Sequence, residues 1–209
     1  MEYRDRYLDL IWTEGAFLVR EEPFTLKSGR RSYVYANHRN LICVPEFLAV
    51  LGDSLSAAAK AKYGPDVALA GVDSSASAFL LTATSLRSGI PLLNYRPVNR
   101  EKGVNETVFS YLGTTTGAGD APRPVVLVDD VVTSATTLEA AAIDIEDANW
   151  EVLGAVCLLD RRRARDRESA SLRVESVATL DVVIHHGISG GFVSPNVQRQ
   201  AEIELGDLS

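Results

Sequence analysis

The sequence has few cysteines and no long apolar run, and both shortages restrict what the protein can be. Its 209 residues include two cysteines, Cys43 and Cys157, which do not form a Cys-x-x-Cys pair. Both lie among apolar residues, so we expect buried free thiols, typical of a reducing compartment, rather than a disulfide or metal site. No apolar run has the length of a membrane span, and charge from Glu2 onwards is unlike a secretory signal. We therefore expect a cytoplasmic protein.

Lysine is also scarce, and its few residues are unevenly distributed. The net charge is −7, and the four lysines all lie in the first half of the chain, at Lys27, Lys60, Lys62 and Lys102. The acidic balance argues against a general nucleic-acid binder. Any anionic ligand would need local cations or a metal ion.

The stretch Val125–Thr137, VVLVDDVVTSATT, carries the clearest functional pattern. Its four leading apolar residues predict a strand buried on both faces of a parallel sheet. Asp129 and Asp130 follow at the carboxyl end of that strand, where open α/β sheets bind ligands. The turn Thr133–Thr137 opens a helix, and its hydroxyls and N–H groups suit a phosphate. Since carboxylates suit ribose hydroxyls or a water-bound magnesium ion, the stretch predicts a site for a sugar phosphate.

What this stretch lacks excludes three other phosphate-handling classes. A Walker loop needs a lysine that is missing here, and a response-regulator receiver needs a lysine further downstream, where the chain has none. Phosphoaspartate enzymes of the haloacid-dehalogenase type use Asp-x-Asp, whereas Asp129 and Asp130 are adjacent.

Strand and helix patterns alternate through the middle of the chain and predict an α/β fold with a doubly wound, mainly parallel sheet. We expect an amphipathic helix over 2–19, ended or bent at Gly15, and short β pieces with a turn over 24–39. The remaining expected helices cover 45–62, 76–87 and the stretch from the turn 133–137 to about 148. The expected strands cover 67–72, 90–95, 107–112, 125–128, 152–159 and 181–184. Residues 96–105 read as a mobile loop.

The residues of two stretches resemble a known family. Val125–Thr137 is similar to the phosphoribosyl-pyrophosphate (PRPP) signature of type I phosphoribosyltransferases. The segment Phe24–Arg39, FTLKSGRRSYVYANHR, resembles the F-x-L-K-S-G-x-x-S-x-x-Y segment of the orotate enzyme. The resemblance implies a single domain over 1–209, with a small N-terminal hood subdomain over about 1–40 and a core sheet over about 65–190.

The resemblance also implies a reaction and its participants. PRPP and Mg²⁺ would convert orotate to orotidine 5′-phosphate with release of pyrophosphate. The enzyme would be a homodimer in which the loop 96–105 closes over the neighbouring subunit's site, with no membrane or nucleic-acid partner. Leaving-group charge must be neutralised, so cations belong on a closing loop.

Each functional position of the family maps onto a residue of this chain. Asp129 and Asp130 would bind the ribose hydroxyls and take part in any Mg²⁺ contact, and Arg161 would contact the pyrimidine. Lys27 would lie near pyrophosphate and base, and Arg96, Arg100 and Lys102 would be the loop cations. The turn Asp73, Ser74 and Ser75 would bind pyrophosphate, and the 5′-phosphate cradle would be Thr133, Ser134, Ala135, Thr136 and Thr137.

Three departures from the family pattern accompany this resemblance. The loop, normally close to Arg-Lys-x-x-Lys-x-His-Gly, keeps three cations but replaces two lysines and a histidine, and Arg and Lys are not interchangeable. Ser75-Ala76 stands where Gly-Gly is common. Ala135 stands where the cradle usually has glycine, and its methyl group would be tolerated if the backbone φ at this position is negative.

Two basic features have both a functional and a structural interpretation. Five arginines in Arg161–Arg167 either contact nucleic acid or, Arg161 aside, form an exposed charge-mixed loop, which we favour. His185 and His186 would point to opposite faces of a strand, which disfavours a shared metal ion, and His38 reads as structural.

Two alternatives to orotate transfer stay open, namely another base or a non-catalytic PRPP-sensing regulator.

Overall fold

The computed structural model describes residues 2–25, 29, 31–72, 75–95, 108–109 and 122–206, without the side chains of Ser75, Val108 and Phe109. The helices are α1 (Glu2–Thr13), α2 (Arg39–Ile42), α3 (Pro45–Tyr63), α4 (Ser75–Ser88), α5 (Thr136–Asp147), α6 (Ala164–Glu168), α7 (Leu180–Ser189) and α8 (Gln198–Gly206). The strands are β1 (Phe17–Thr25), β2 (Arg31–Ala36), β3 (Ala68–Gly71), β4 (Asn94–Tyr95), β5 (Val108–Phe109), β6 (Val125–Val132), β7 (Val152–Asp160) and β8 (Val174–Thr179).

The central sheet is parallel and has the order β3-β6-β7-β8. Because helices connect its successive strands, both faces of the sheet are covered, which explains why β6 and most of β7 are apolar without alternation. β1 and β2 form a separate antiparallel hairpin, and β4 pairs with β5. The predicted α/β fold with a mainly parallel sheet is confirmed.

The two faces of the sheet carry different layers. On one face, which we call the α5 side, helix α5 packs on residues such as Leu127 and Cys157. On the other, which we call the hairpin side, the larger core cluster joins α1, α3, α4, α7 and α8 with the hairpin. Tyr7, Phe17 and Val34 are fully or almost fully buried there. The described residues of the hairpin are therefore packed against the core on this side of the sheet.

Several predicted elements match the structure closely. Helix α3 begins at Pro45 and ends before Gly64, whose φ of 77° is open to glycine. Helix α5 buries Leu138, Ala141, Ala142 and Ile145 on one face, as its spacing predicts. No described helix is long and apolar enough to cross a membrane.

The predicted strand over 181–184 is wrong, because this segment lies inside helix α7. Its short apolar run fits a buried helix as well as a strand, and the last strand is instead β8, at Val174–Thr179. His185 and His186 consequently lie on a helix, and Gly187 contacts the Trp12 ring, where a side chain would clash. The opposite-face argument for these histidines does not apply.

Smaller corrections concern the first helix, the third strand and one cysteine. Helix α1 ends at Thr13 ahead of Gly15 (φ 63°), and the predicted helical residues 17–19 belong to β1. Within 90–95 only Asn94–Tyr95 forms a strand, although Leu92 makes one parallel bridge to Leu69. Cys157 is buried as expected, but Cys43 is exposed.

Candidate active site

The site begins at the carboxyl end of β6, which is longer than predicted. The strand continues through Asp129 and Asp130 to Val132, because β7 pairs with it as far as Val132 opposite Asp160. Both acidic residues are thus held by strand geometry. The chain then turns at residues 133–135 and enters helix α5.

Strand geometry sends the two carboxylates to opposite sides of the sheet. Asp129 follows the alternation of Leu127, which packs on the α5 side, and Asp130 follows that of Val128, which packs on the hairpin side. The surroundings agree, since the charge of Asp130 acts on Tyr7 and His38 of the hairpin side. The two carboxylates can therefore contact the same ligand at the edge of the sheet, each from a different side.

Asp129 is the more buried of the two acids, with 9% of its surface exposed. Burial, followed by the charge of Asp130, raises the pKa of Asp129 to about 7. The backbone N–H of Asp130 donates to Asp129 Oδ1 at 2.9 Å and opposes part of that rise. Asp129 therefore changes charge near neutral pH and can accept hydrogen bonds from a diol when ionised.

The turn after β6 forms a cleft with Asp129. The lining runs from Val131 to Leu138, and the hydroxyl-bearing residues Thr133, Ser134, Thr136 and Thr137 are exposed. The first helical N–H groups have no partner inside a helix, and no side chain caps α5. Backbone donors, hydroxyls and the helix dipole therefore converge on one place that suits an anion.

Ala135 adopts a left-handed backbone conformation at the start of α5, with φ 59° and ψ −3°. The condition stated for its methyl group, a negative φ, is not met. A non-glycine residue in this region carries local strain of about 1–2 kcal/mol. The surrounding structure thus holds Ala135 in a backbone conformation that alanine disfavours, as is common at binding sites.

On the hairpin side, Tyr7 and His38 form a buried pair near Asp130. The Tyr7 hydroxyl and His38 Nε2 share a hydrogen bond of 2.9 Å, and His38 Nδ1 has no hydrogen-bond partner in the described part of the chain. Burial lowers the pKa of His38 to about 4, although the charge of Asp130 opposes that shift. A neutral histidine therefore lies in the layer behind this carboxylate.

Arg161 begins the turn after β7, and its backbone N–H donates to the Val132 carbonyl oxygen at 2.8 Å. Its side chain is 7% exposed, and Nη2 donates to Ser32 Oγ at 2.9 Å and to the Val34 carbonyl oxygen at 3.2 Å. The structure thus brings Arg161 to the edge that carries the acid pair. It also joins Arg161 to the hairpin motif, which sequence reasoning treated separately.

The second arginine of the run is not part of an exposed loop. Arg162 is 4% exposed and forms two-pronged hydrogen bonds with Asp160, the shortest 2.7 Å. Burial opposes its charge, but the hydrogen bonds and charge of Asp160 prevail and raise the pKa of Arg162. The exposed-loop expectation is therefore wrong for Arg162. The residues from Ala164 onwards form the short helix α6, whose arginines are exposed or half-buried.

Several predicted site residues lie outside the described part of the chain. They are Lys27, Asp73, Ser74, Arg96, Arg100 and Lys102, together with the side chain of Ser75, whose backbone begins α4. Among the described residues, the site consists of two carboxylates, an anion cradle and a buried arginine at one edge of the sheet. This arrangement can bind a phosphorylated sugar beside a second, planar anionic group.

Sequence reasoning missed the residues that surround Arg161 and Asp130. Ser32 stands in the hairpin motif, so its position was marked but its role was not. His38 lies near the end of the same segment but reads only as structural, and Tyr7 and Glu204 come from other segments. Only the fold brings them to the site.

Comparisons with known proteins give one consistent result. The phosphoribosyl transferase domain family matches residues 58–187. An orotate phosphoribosyltransferase of Methanopyrus kandleri is 31% identical over 181 residues, which cover 85% of this chain and 90% of that protein.

Solved structures agree with this result. The crystal structure of an orotate phosphoribosyltransferase from Aeropyrum pernix has a TM-score of 0.68 and 26% identity, and the match covers 90% of this chain and 99% of that one. The Mycobacterium tuberculosis H37Rv orotate phosphoribosyltransferase in complex with PRPP has a TM-score of 0.61 at 23% identity, covering 87% and 98%. The second likeness shows the fold alone.

Proposed function

The chain belongs to the phosphoribosyltransferase family, and on that premise we propose that it transfers the phosphoribosyl group of PRPP to orotate. The products are orotidine 5′-phosphate and pyrophosphate. The observation that carries the proposal is the junction of the two motifs. Arg161 is hydrogen-bonded to the hairpin segment that resembles the orotate branch, and it lies at the edge that ends the PRPP-like stretch.

The proposal gives each part of the substrates its own group of residues. We assign the 5′-phosphate to residues 133–137 and the ribose hydroxyls to Asp129 and Asp130. Arg161 and Lys27 serve the base and its carboxylate, for which a planar guanidinium is suited. Asp73, Ser74 and Ser75 with the loop cations Arg96, Arg100 and Lys102 serve the pyrophosphate.

The reaction makes use of these residue types. A ring nitrogen of orotate attacks the anomeric carbon as the bond to pyrophosphate breaks, and positive charge develops on the ribose. The proton of that nitrogen is lost and balances the charge of the released pyrophosphate. Carboxylates near the sugar stabilise that charge, and cations stabilise the departing pyrophosphate. Asp129, with its pKa of about 7, is largely ionised only above neutral pH.

The donor set at the edge fits a magnesium ion that arrives with PRPP. Carboxylate oxygens are the ligands that Mg²⁺ prefers, and the ion usually keeps several waters and substrate phosphates. The described residues contain no group of three or more histidine, cysteine or acidic side chains that would form a complete protein cage. Asp129 and Asp130 would contact the ion through water, and the ion would neutralise the pyrophosphate charge.

The proposal includes the setting in which the enzyme works. We infer a cytoplasmic homodimer in which residues 96–105 reach the neighbouring site, and a single domain over 1–209 with an N-terminal hood over about 1–40. The burial of Arg162 removes one cation from the run 161–167, which weakens the alternative of a nucleic-acid-binding regulator.

An absorbance assay tests the activity. Purified protein is mixed with PRPP, Mg²⁺ and orotate, and the loss of orotate absorbance is followed. We expect turnover that needs all three components. Uracil and the purine bases are assayed in parallel to test transfer to another base.

The variant Asp130→Asn serves as the control for contaminating activity, because it removes one of the ribose-binding carboxylates. Turnover that persists undiminished in this variant would come from another protein if a mock purification without this chain shows it as well. No loss of orotate in the wild-type protein, together with turnover of a different base, would replace the orotate assignment.

A further inference from the structure

Glu204 on helix α8 is a buried acid with no role in the motifs of the sequence. It is 1% exposed, and both of its carboxylate oxygens are used. Oε1 accepts from Ser32 Oγ at 2.9 Å, and Oε2 accepts from the backbone N–H of Tyr33 at 3.0 Å. A buried carboxylate is costly unless it is fully bonded, so these contacts define where Glu204 lies.

The same carboxylate lies beside Arg161. Glu204 Oε1 is 3.9 Å from Arg161 Nη2, and that nitrogen donates to Ser32 Oγ at 2.9 Å. Ser32 has a single hydroxyl hydrogen and two acceptors within reach, Glu204 Oε1 and the Val34 carbonyl oxygen. The carboxylate is the stronger of these two acceptors. Ser32 therefore donates to Glu204 and accepts from Arg161, which links the acid to the guanidinium.

The three residues come from distant parts of the chain and meet at the base half of the site. Ser32 belongs to β2, Arg161 follows β7, and Glu204 belongs to α8. The hydrogen bonds that Glu204 accepts from Ser32 and Tyr33 connect α8 to β2. The carboxylate therefore joins two elements directly beside the Arg161 guanidinium.

We propose that Glu204, acting through Ser32, is a positioning residue that orients Arg161 for contact with the base. This inference rests on the proposed function, which assigns Arg161 to the base. It extends the site to the C-terminal helix, and it gives a role to the second serine of the hairpin motif. Glu204 touches no substrate and is not a catalytic residue.

The test compares two matched substitutions on helix α8. Glu204→Gln keeps the size of the side chain and removes its charge, whereas Glu202→Gln makes the same change at an exposed position two residues away. We expect E204Q to raise the KM for orotate about tenfold, the effect of one charge-assisted hydrogen bond, and to leave the KM for PRPP within about twofold. E202Q should leave both KM values unchanged.

A double-mutant cycle separates positioning from general damage. If Glu204 acts through Arg161, the effects of Glu204→Gln and Arg161→Lys on the KM for orotate will be clearly less than additive. A purely structural defect would lower the active fraction, and thus kcat, without a selective change in either KM. Should E204Q fail to fold, as judged by circular dichroism, Ser32→Ala replaces it in the same cycle.

Three results would overturn the inference: an unchanged KM for orotate, an equal rise in both KM values, or additive effects in the cycle. A wild-type protein that uses another base instead of orotate would refute the proposed function only. The cycle is then measured with that base, and the same selectivity is expected. A protein that uses no base at all would refute both.

Discussion

The two sides of the β6 end are built in different ways. On the α5 side, Asp129 and the cradle 133–137 lie within nine consecutive residues, and most of the cradle is exposed. On the hairpin side, the surroundings of Asp130 and Arg161 come from α1, β2, the end of β7 and α8, and they are buried. Local sequence therefore specifies the half of the site that we assign to the phosphate, whereas tertiary packing specifies the half that we assign to the base.

The largest effect is expected where the buried arrangement is broken. Asp160→Asn leaves Arg162 buried without its counter-charge, and we expect a loss of about 3–5 kcal/mol in the free energy of unfolding. Urea denaturation measures it. The exposed pair Arg165–Asp166, 3.7 Å apart, supplies the control, because Asp166→Asn should change stability by less than about 0.5 kcal/mol.

A second variant checks the cause of this loss. Replacing both partners with apolar residues, as in Asp160→Leu with Arg162→Met, should recover much of the stability because no charge stays unpaired. A single variant as stable as the wild-type protein would show that the buried pair contributes nothing to stability.

The next effect concerns catalysis at the point where the two halves meet. Asp130→Asn keeps the side-chain oxygen that accepts from the Val131 N–H but removes the charge that faces the ribose. We expect kcat/KM for PRPP to fall about 100-fold, as for other preorganised electrostatic groups. Asp147→Asn, at the exposed end of α5, makes the same charge change and should have no effect. Equal activity of the two variants would remove Asp130 from the site.

A third prediction uses the pH dependence of stability to distinguish Asp129 on the α5 side from His38 on the hairpin side. The pKa of Asp129 is raised to about 7 in the folded protein, so its contribution to stability is present at low pH and is lost as pH rises from about 4 to 7. The pKa of His38 is lowered to about 4, so its contribution is present above its ordinary value of 6.5 and is lost as pH falls. The two slopes oppose each other in the wild-type protein.

Substitution of either residue should expose the slope of the other. In Asp129→Asn, the unfolding free energy should rise with pH between 4 and 6.5 more steeply than in the wild type, by up to about 1.4 kcal/mol per pH unit. In His38→Gln, it should fall as pH rises toward 7. Chemical denaturation across this range measures both, and parallel curves for all three proteins would contradict the opposing assignments.

The smallest expected effect lies within the cradle. Ala135→Gly relieves the left-handed strain at φ 59° and should stabilise the protein by about 1 kcal/mol, since glycine adopts this conformation freely. Ala140→Gly, on the exposed face of α5, should have the opposite sign and a similar size. Thermal unfolding compares them. If both glycines destabilise, the positive φ of Ala135 imposes no strain.

The elements predicted well are those with a strong local pattern. Pro45 and Gly64 mark the ends of α3, and the apolar run of β6 marks a strand buried on both faces. The segment 181–184 was assigned wrongly because three consecutive apolar residues do not distinguish a buried strand from a helix. Strand β8 was missed because Glu175 and Ser176 interrupt its apolar pattern at the edge of the sheet.

The same division applies to the site. Asp129, Asp130 and the cradle could be proposed as a site because they follow one another in a single stretch. Glu204 could not, since it lies in a largely polar helix and its partner Ser32 is 172 residues away along the chain. The length of β6 through Val132 depends on pairing with β7, which local sequence does not reveal.

The alternation of Asp129 and Asp130 along β6 also limits how this segment can change in evolution. Removing or inserting one residue between Val125 and Val128 would exchange the sides on which the two acids emerge, because the side-chain period of a strand is two. Substitutions among Val, Ile and Leu in this stretch keep that parity. Lineages that retain the chemistry should therefore vary the composition of β6 while keeping its residue count fixed.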